Sequence, residues 1–548
     1  MMIRSKPIQL DTMRLSIIFM IFCLIYAIAL IHLFFTQIIN HHFYTDLAQR
    51  QYQTTINSMP TRGIIYDRNE HPLALNKESI SACITPRSLK HPAQVAAFLE
   101  RYFPEAHERL KNNHKKHFIY IKRKLSPEEL QLIETSNCPD ILLLKEASRY
   151  YPFACCATIT GITDIDNNGS FGIELTANDL LAGKPTTYLL QQDGRSKRYH
   201  TKKETTRQGL PAQSVYLTID GSLQFLATQE LEKTVKKFNA KHAACIIMNP
   251  DTGEILTMTN WPHYDPHNTA QLDMSLTSNK CITQSYELGS VMKPAVALAA
   301  LNERVVEPNE LIDCENTTTT MLDGRPINTV YAAGEIPFWE VMVVSNNIGM
   351  AKVAQRLGEK LYDYYERMGF GKKSSIPLPG EQAGFINHPA NWSKQSLISL
   401  SYGYEIRTTL LQLAQFFSII ANGGYAIQPQ ILRQKNEPAA PLKKKRLFRK
   451  NSITTMHEIL TRTTPWRAQL QGYTVMGKTG TANMLSDGLY DSSKNLYTFG
   501  GIIQKGSYKR VIITFVQEAD TPNLYASQVA APLFRRIAER LVVHEHVI

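Results

Sequence analysis

The sequence contains little that indicates a bound metal or a nucleic acid. Its 548 residues include 8 cysteines, and these are scattered. The one close pair, Cys155 and Cys156, is adjacent and has no second pair at a metal-ligand spacing. We therefore expect no metal site and no cofactor. The net charge of +12 is spread along the chain without a compact nucleic-acid-binding motif, which favours a solvated basic surface over a nucleic acid partner.

Long apolar runs are also rare, and the clearest one stands near the N-terminus. Residues 15–35 are almost all apolar, and a run of about 21 residues suffices to cross a bilayer core of about 30 Å. Basic residues, including Arg14, precede the run, which places the short N-terminus in the cytoplasm. A cleaved signal peptide is the alternative, but no small-residue cleavage site follows directly. We predict a cytoplasmic tail at 1–14 and an uncleaved anchor at 15–37, in the inner membrane.

The length of the chain predicts two further domains, because one hydrophobic core rarely grows to this size. Residues 38–212 mix short amphipathic segments with polar connectors and contain no catalytic constellation. We interpret them as a structural or docking domain that ends in the polar run 201–208. A different pattern starts at Ser214, so we assign 213–548 to a catalytic domain.

The catalytic domain is predicted to be built around one antiparallel sheet. Two early strands are joined by a turn that contains Pro250 and Gly253. Three further strands and a closing helix at 526–542 come late, with a long helical insert between the two sets. The fold class is therefore α+β. The predicted strands of the sheet are 243–248, 255–258, 473–482, 496–503 and 511–516.

Ser290 and Lys293 form the central motif, S-x-x-K. A hydroxyl and an amine three residues apart lie on one face of a helix, so Lys293 can accept the proton of Ser290. Pro294 is tolerated only in the first helical turn, so the helix must begin near Ser290, where backbone N–H groups are free. Alone, this spacing is more often a solvated helix face than a catalytic pair. The apolar segment 295–301 indicates that this helix is buried.

Two later motifs strengthen the interpretation. Ser345 and Asn347 place a hydroxyl and an amide two residues apart. The tetrapeptide 478–481 is Lys-Thr-Gly-Thr in a predicted strand, where Lys478 and Gly480 share one face and Thr479 and Thr481 share the other. We expect Gly480 to leave room for a ligand backbone and Lys478 to favour anionic substrate groups. Each motif alone has a structural explanation, whereas the ordered set is very specific.

With these motifs the chain resembles the class B penicillin-binding proteins, membrane-anchored peptidoglycan transpeptidases. The resemblance covers most of the chain. Segment 62–69 is similar to the opening of their pedestal domain, and 249–256 is similar to the first hairpin of their transpeptidase domain. The short pedestal and the absence of appended modules resemble the division-specific enzyme more than the elongation enzyme. The implied architecture is a single transmembrane helix, an elongated α+β pedestal of the dimerisation type and a penicillin-binding domain with a central antiparallel sheet flanked by helices.

Three positions depart from the pattern of the family. Leu288 stands where proline usually precedes Gly-Ser, Glu405 where glycine is common, and Leu410 within a segment usually Thr-Pro-Leu-Gln. None of them removes a group that transfers a proton or stabilises an oxyanion. We expect an effect on loop conformation and on β-lactam sensitivity, with slower β-lactam acylation as the first consequence of Leu288.

The resemblance implies a role for each motif residue in D-Ala-D-Ala transpeptidation. Ser290 is the nucleophile and Lys293 its base, while Ser345 passes a proton to the departing D-alanine. Asn347 orients Lys293 and the substrate amide. The oxyanion hole is formed by N–H groups of Ser290 and Thr481. The terminal carboxylate is held by Lys478, Thr479 and Thr481, and β-lactams acylate Ser290.

The resemblance also implies partners. These are peptidoglycan stem peptides, β-lactams, a polytopic membrane glycosyltransferase and other divisome proteins. We find no acidic pair typical of a glycosyltransferase between the anchor and the catalytic domain. The alternatives are an elongation transpeptidase, a serine β-lactamase or D,D-carboxypeptidase, and a β-lactam sensor or inactive scaffold. A hydrolase needs a base for its deacylating water, and we find no clear Glu-x-x-Leu-Asn pattern between Ser345 and Lys478.

Overall fold

The computed structural model describes residues 11–116, 118–192, 199–268, 272–435, 445–486, 489–521 and 523–547. Its contacts divide the chain into two compact units. One contains residues 1–60 and 183–212, and the other contains 61–182 and 213–548. Residues 1–10 of the predicted cytoplasmic tail lie outside the described ranges.

The first 212 residues contain helices and strands of mixed length. The helices are α1 (Thr12–Phe34), α2 (His41–Tyr52), α3 (Pro92–Tyr102), α4 (Pro104–Asn112), α5 (Pro127–Thr135), α6 (Ala157–Thr160), α7 (Gly172–Thr176) and α8 (Asn178–Ala182). The strands are β1 (Gln53–Ser58), β2 (Ile65–Tyr66), β3 (Pro72–Ile84), β4 (Ile119–Lys122), β5 (Leu142–Tyr150), β6 (Thr186–Gln192) and β7 (Tyr199–Arg207).

The remaining residues add the larger set of elements. The helices are α9 (Gly221–Phe238), α10 (Lys280–Thr283), α11 (Lys293–Glu303), α12 (Phe338–Val343), α13 (Asn347–Leu357), α14 (Lys360–Met368), α15 (Ser396–Ser401), α16 (Leu410–Ala421), α17 (Lys450–Thr463) and α18 (Ala526–His544). The strands are β8 (Val215–Leu217), β9 (His242–Met248), β10 (Ile255–Trp261), β11 (Leu311–Asp313), β12 (Thr319–Leu322), β13 (Arg325–Asn328), β14 (Glu335–Pro337), β15 (Phe385–Ile386), β16 (Ile406–Arg407), β17 (Leu432–Arg433), β18 (Thr474–Ser486), β19 (Leu489–Lys505) and β20 (Tyr508–Gln517).

The smaller unit begins with the predicted apolar helix. Helix α1 continues through a π-helical turn, Phe35–Ile39, so that 28 residues form one span long enough to cross a membrane, and its most apolar 18-residue stretch has a mean hydropathy of 2.8. Strands β1, β6 and β7 form a three-stranded antiparallel sheet in the same unit. The polar run 201–208, in which we predict the end of the domain, contains a strand, because its first seven residues belong to β7. Polar β-branched and charged residues there pair along the sheet without apolar alternation.

The first part of the larger unit is organised on the long strand β3, which pairs with β5 on one edge and with β4 over its last residues. Two of the short amphipathic segments predicted within 38–212 form the helices α3 and α5. Ser126 caps α5, since its hydroxyl accepts from the Glu129 N–H while the Glu129 carboxylate accepts from the Ser126 N–H.

A buried ion cluster lies in the same region. Glu174 is fully buried and accepts hydrogen bonds from two arginines. The Arg62 Nε donates to Oε2 over 2.8 Å, and the Arg149 Nε donates to Oε1 over 2.6 Å. Arg149 also donates to Asn76. One carboxylate therefore faces two buried guanidinium groups, a charge-assisted arrangement that ties β5 to α7 and to the chain before β2.

The central sheet of the larger unit confirms the predicted α+β fold. Its order is β10-β9-β20-β19-β18, and every neighbouring pair is antiparallel. The two early strands and the three late strands thus complete one sheet, as the sequence predicts. Strand β18 pairs with β19 on one side and forms an edge of the sheet in the described part of the chain.

Alternation along β9 explains the two layers of helices. Ala243, Cys245 and Ile247 belong to a core that contains α18, whereas Ala244 and Ile246 belong to the core that contains α11 and α16. All of these side chains are fully buried. A strand buried on both faces has no polar face, which accounts for its continuous apolar sequence.

Candidate active site

The three motifs meet at the β18 edge of the central sheet. Ser290 lies in a 3₁₀ turn, Gly289–Met292, that leads directly into α11. Ser345 lies between α12 and α13, and Lys478 lies within β18. The predicted helix start near Ser290 is confirmed, with a 3₁₀ turn in front of the α-helix and Pro294 in its first turn.

Glycines allow the nucleophile turn to lie against two other backbones. Gly289 has φ +61°, and a Cβ there would lie 2.9 Å from the Thr481 carbonyl oxygen. A Cβ on Gly403 would lie 2.2 Å from the Gly289 carbonyl oxygen. The Gly289 N–H donates to the Gly403 carbonyl over 3.3 Å. The turn is therefore held between β18 and the loop that contains Gly403.

Gly480 has a different function in the packing from the one predicted. A Cβ at this position would lie 2.4 Å from the Leu288 carbonyl oxygen and 2.9 Å from the Val291 nitrogen. The space over Gly480 is therefore filled by the nucleophile turn itself. The expectation that its missing side chain leaves room for a ligand backbone is wrong, because the close approach is between two segments of this chain.

Lys293 is fully buried and has three oxygen partners. Its Nζ donates to the Ser345 carbonyl over 2.6 Å, to the Asn347 Oδ1 over 2.7 Å and to the Ser345 Oγ over 3.1 Å. Within the described ranges, the Ser290 hydroxyl makes no hydrogen bond. The Lys293 amine is therefore hydrogen-bonded to the S-x-N motif and not to the Ser290 hydroxyl. In enzymes, hydrogen bonds between catalytic groups often tighten only when substrate binds.

Ser345 connects the two lysines. Its Oγ lies 3.0 Å from the Lys478 Nζ and 3.1 Å from the Lys293 Nζ. Ser345 has φ +56°, and a non-glycine residue held in the left-handed region costs about 1–3 kcal/mol and is typical of functional sites. The Asn347 side chain is fixed by donation from its Nδ2 to the Asn328 carbonyl. One hydroxyl therefore bridges two amines from distant parts of the sequence.

Burial changes the acidity of both lysines. Burial, together with the charge of Lys478, lowers the pKa of Lys293 well below its ordinary value. Burial lowers the pKa of Lys478 to about 8. Among the described residues, no carboxylate oxygen lies within 4.0 Å of either Nζ, so no ion pair offsets the cost of burying their charged forms. Lys293 is therefore suited to act as a neutral amine, and Lys478 stays cationic more readily than Lys293 does.

The two threonines of the third motif have different surroundings. Thr479 and Thr481 are both partly exposed. The Thr481 Oγ1 accepts from the Ala526 N–H at the start of α18 over 3.0 Å, which orients its hydroxyl group towards that helix. Thr481 also pairs with Tyr497 across the sheet. Sequence reasoning missed the anchoring by Ala526, since nothing near Thr481 in the chain indicates that α18 begins there.

The three departures from the pattern of the family occupy fixed backbone positions. Leu288 is fully buried directly before the nucleophile turn. Glu405 has φ +58°, and its N–H donates to the Glu287 carboxylate over 2.8 Å. Leu410 is buried at the start of α16, which Thr409 caps by accepting from the Gln412 N–H. These contacts give the loops around Ser290 defined conformations.

Comparison with known proteins identifies the family. The model of the penicillin-binding protein transpeptidase domain matches residues 243–539, and the model of the penicillin-binding protein dimerisation domain matches residues 57–217. This chain belongs to the penicillin-binding proteins. The order of a dimerisation domain and a transpeptidase domain confirms the predicted class B of this family.

Relatives of this penicillin-binding protein match over most of their length. A probable peptidoglycan D,D-transpeptidase, PbpC of Pseudomonas aeruginosa, is 31% identical over 519 residues, which cover 92% of this chain and 90% of the relative. The peptidoglycan D,D-transpeptidase FtsI of Escherichia coli K12 is 29% identical over 495 residues, with 87% and 82% covered.

A solved structure shares the fold of this penicillin-binding protein. The crystal structure of penicillin-binding protein 3 of Mycobacterium tuberculosis, complexed with aztreonam, has a TM-score of 0.69 and 23% identity, and the match covers 90% of this chain and 98% of that chain. At this identity the likeness shows the fold alone. The α+β architecture predicted from the sequence is thereby confirmed.

Proposed function

We propose that this protein is a serine-type peptidoglycan D,D-transpeptidase that forms a Ser290 acyl-enzyme. The observation that carries the proposal is the position of the Ser345 Oγ, 3.1 Å from the Lys293 Nζ and 3.0 Å from the Lys478 Nζ. Residues from three separate motifs thereby share one hydrogen-bonded group. The names of the relatives, which include D,D-transpeptidases, support the same reaction.

The first half of the reaction is acylation. Neutral Lys293 takes the proton of the Ser290 hydroxyl, and the Ser290 Oγ attacks the carbonyl carbon between the two terminal D-alanines. Backbone N–H groups of Ser290 and Thr481 stabilise the oxyanion, a contribution of about 3 kcal/mol per donor. The carbon–nitrogen bond then breaks. The proton held by Lys293 reaches the leaving D-alanine nitrogen through the Ser345 hydroxyl.

The second half of the reaction transfers the acyl group. An amine from a neighbouring stem peptide attacks the ester, its proton returns through the same groups to the Ser290 Oγ, and a peptide crosslink forms. Lys478, Thr479 and Thr481 hold the substrate carboxylate, with Gly480 contributing only backbone, and Asn347 orients Lys293. β-Lactams place their strained amide at the same position and acylate Ser290.

Labelling by a fluorescent penicillin tests the acylation site. We expect the purified protein to bind one penicillin, with a mass increase located on the Ser290 peptide. Ser290→Ala abolishes labelling, whereas Ser507→Ala, which alters an exposed turn serine, leaves it unchanged. Labelling of Ser290→Ala at the normal rate would contradict the proposal. Rapid catalytic hydrolysis of a chromogenic β-lactam would instead indicate a β-lactamase.

We also propose a septal function. FtsI enzymes are among the relatives, which favours division over elongation. A fluorescently tagged copy is expected at the division site, and depletion is expected to give filaments. Localisation along the side wall with rounded cells after depletion would favour the elongation alternative.

The proposed topology places residues 1–14 in the cytoplasm, an anchor at 15–37, a pedestal at 38–212 and the transpeptidase domain at 213–548 in the periplasm. The apolar helix Thr12–Ile39 supports the anchor. A polytopic membrane glycosyltransferase and other divisome proteins are the proposed partners. Alkaline phosphatase fused after residue 212 is expected to be active, and an inactive fusion that is stably produced would contradict this orientation.

A further inference from the structure

A groove lies along the exposed side of α18. Two adjoining cavities, of about 370 Å³ and about 620 Å³, form the groove, and both are lined by Arg536 and Glu539. The lining extends along the helix from Pro532 to His544, a length of about 18 Å at 1.5 Å per residue. Among the described residues, none that is assigned to the reaction at Ser290 lines either cavity. The groove is therefore separate from the catalytic cleft.

An exposed tryptophan forms one end of this groove. Trp466 is 72% exposed, whereas tryptophan is usually buried over most of its surface. Within the described ranges, its indole N–H donates to no acceptor. The guanidinium carbon of Arg467 lies 5.0 Å from the centre of the indole ring, and no described carboxylate lies within 4.0 Å of this arginine. An aromatic surface, an N–H donor and a cation are thus available together to a ligand.

The turn that carries Trp466 is held in place by its neighbours. The Thr464 Oγ1 lies 2.8 Å from the Leu460 carbonyl oxygen in α17 and 3.1 Å from the Val475 carbonyl oxygen in β18. Ala468, at the end of the 3₁₀ helix Trp466–Ala468, is fully buried in the core that contains α18. The exposure of Trp466 is therefore a fixed feature of the fold.

The middle of the groove carries more positive than negative charge. The buried Glu230 carboxylate of α9 is shared by Arg536 and Arg540, each at 2.9 Å. Arg535 pairs with Glu539 over 2.8 Å, and both of these side chains are about half exposed. In total, four arginines and two glutamates line the groove. The excess of positive charge favours an anionic ligand.

This combination of groups is complementary to an acidic sugar polymer. A sugar ring has an apolar C–H face that packs on an aromatic ring, and its hydroxyl groups accept hydrogen bonds from an indole N–H. Carboxylates on the sugars match the planar fork of arginine. A lipid surface would require a broader apolar face, but the aliphatic lining is confined to Leu226 and Val543 at the opposite end from Trp466. An acidic polypeptide would account for the arginines and not for the exposed indole.

We infer that this groove, the glycan groove, binds a glycan strand of peptidoglycan at muramic acid units whose carboxyl groups are free of stem peptide. Trp466 packs against a sugar ring, while Arg467 and Arg535 bind carboxylates. The inference rests on the proposed function for the identity of the polymer, because a peptidoglycan transpeptidase works among such strands. It adds a second contact with the cell wall that leaves Ser290 accessible.

Binding of soluble glycans to the full-length protein in detergent tests the groove. The ligands are peptide-free strands of alternating N-acetylglucosamine and N-acetylmuramic acid, chitooligosaccharides of the same length, and poly-glutamate. Titration calorimetry gives the dissociation constant of each ligand. We expect the peptide-free strands to bind about fivefold more tightly than the chitooligosaccharides, since only the strands carry carboxylates. Poly-glutamate, which has no sugar ring, should bind most weakly.

Variants of the groove give the decisive comparison. Trp466→Ala is expected to weaken binding of the peptide-free strands about tenfold, and Trp466→Phe should restore most of this loss. Replacing both Arg467 and Arg535 by glutamine should bring the strands and the chitooligosaccharides within about twofold of each other. Tyr102→Ala is the matched control, because Tyr102 of α3 is also exposed and has the Arg101 guanidinium 5.1 Å from its ring centre. This control should bind the strands as the unchanged protein does.

The outcomes separate the two proposals. Equal binding of the strands by the unchanged protein, Trp466→Ala and Tyr102→Ala would overturn the glycan groove, as would no binding to the unchanged protein. Binding of poly-glutamate as tight as that of the strands, or binding only to vesicles of anionic phospholipid, would also overturn it. Labelling of Ser290 by fluorescent penicillin is measured in the same samples and should be equal in all of them. Absence of labelling in the unchanged protein would overturn the proposed function, whatever the glycan result.

Discussion

The larger unit buries cations in two regions, and it treats them in opposite ways. In the pedestal region, Arg62 and Arg149 share the buried carboxylate of Glu174. At the β18 edge, Lys293 and Lys478 are buried beside neutral oxygens, and among described residues no carboxylate is within 4.0 Å.

The presence or absence of a carboxylate partner distinguishes buried cations that stabilise the fold from buried amines that take part in the reaction. A buried arginine remains protonated and needs a counter-ion, so the pedestal cluster fixes the chain. A buried lysine without a counter-ion loses its proton more easily, which creates a base. The free-energy cost of burying a positive charge is therefore offset by an ion pair in the pedestal region. At the β18 edge the same cost lowers the pKa of the lysines and makes Lys293 a base.

Removal of the base should give the largest effect. Lys293→Met is expected to reduce the rate of Ser290 acylation by penicillin about 10⁴-fold, because no neutral amine remains to accept the proton. The free energy of unfolding should change little, since the loss of the hydrogen bonds of the amine to Ser345 and Asn347 is offset by removal of a buried amine that has no counter-ion. The acylation rate is measured by quenching penicillin labelling at successive times, and the free energy of unfolding is measured by urea denaturation.

Lys352→Met is the matched control for this variant. Lys352 is partly buried but is paired with Asp313 and Glu315, so its replacement should lower stability slightly and leave acylation unchanged. A loss of several kcal/mol in the free energy of unfolding of Lys293→Met would show that Lys293 mainly stabilises the fold.

Removal of the pedestal counter-ion should give the next largest effect. Glu174→Gln leaves two buried guanidinium groups without a carboxylate, and we expect a loss of about 3–5 kcal/mol in the free energy of unfolding. Urea denaturation measures this loss. In Glu78→Gln, which removes an exposed pair with Lys145, the loss should be below about 1 kcal/mol. Equal losses in both variants would remove the distinction between the two regions.

A side chain at Gly480 should displace the nucleophile turn. Gly480→Ala places a Cβ 2.4 Å from the Leu288 carbonyl oxygen, and a shift of about 1 Å at the reacting group costs about 10²-fold in rate. The rate of penicillin acylation measures the effect. Gly334→Ala, where nothing lies within 4 Å of the added atom, is the control. An unchanged rate in Gly480→Ala would show that the turn is not held by this contact.

The pH dependence of acylation should give the smallest effect. Acylation needs neutral Lys293, whose pKa is lowered by burial and by Lys478, so the rate rises as pH increases through that pKa. The rate should fall again above about pH 8, where Lys478 loses its proton. In Lys478→Met the falling limb should disappear and the rising limb should move to higher pH. A falling limb that persists unchanged in this variant would contradict the assignment.

Local patterns in the sequence predict most of the central sheet. The Pro250 and Gly253 turn identifies the first hairpin, and the continuous apolar runs identify strands buried on both faces. The strand β7 within the run 201–208 is not predicted, because the polar composition of the run is typical of a connector, whereas β7 is stabilised by backbone pairing with β6. Backbone hydrogen bonds leave no periodic signal in such a sequence.

The chemistry of the site is predictable from motif order, but its packing is not. The sequence indicates Ser290, Lys293 and Lys478 because their residue types are specific to their roles. The contact of Gly480 with the nucleophile turn and the anchoring of Thr481 by Ala526 join segments far apart in the chain.

The glycine contacts around the nucleophile turn restrict how this protein can become insensitive to antibiotics. Three backbone segments are in close contact at Gly289, Gly403 and Gly480. Any side chain introduced there moves Ser290, and so impairs transpeptidation together with acylation by β-lactams. Selection by β-lactams therefore has little tolerated variation directly around Ser290. Resistance substitutions should accumulate on the rim of the cleft, where side chains can change the fit of a drug while the turn stays in place.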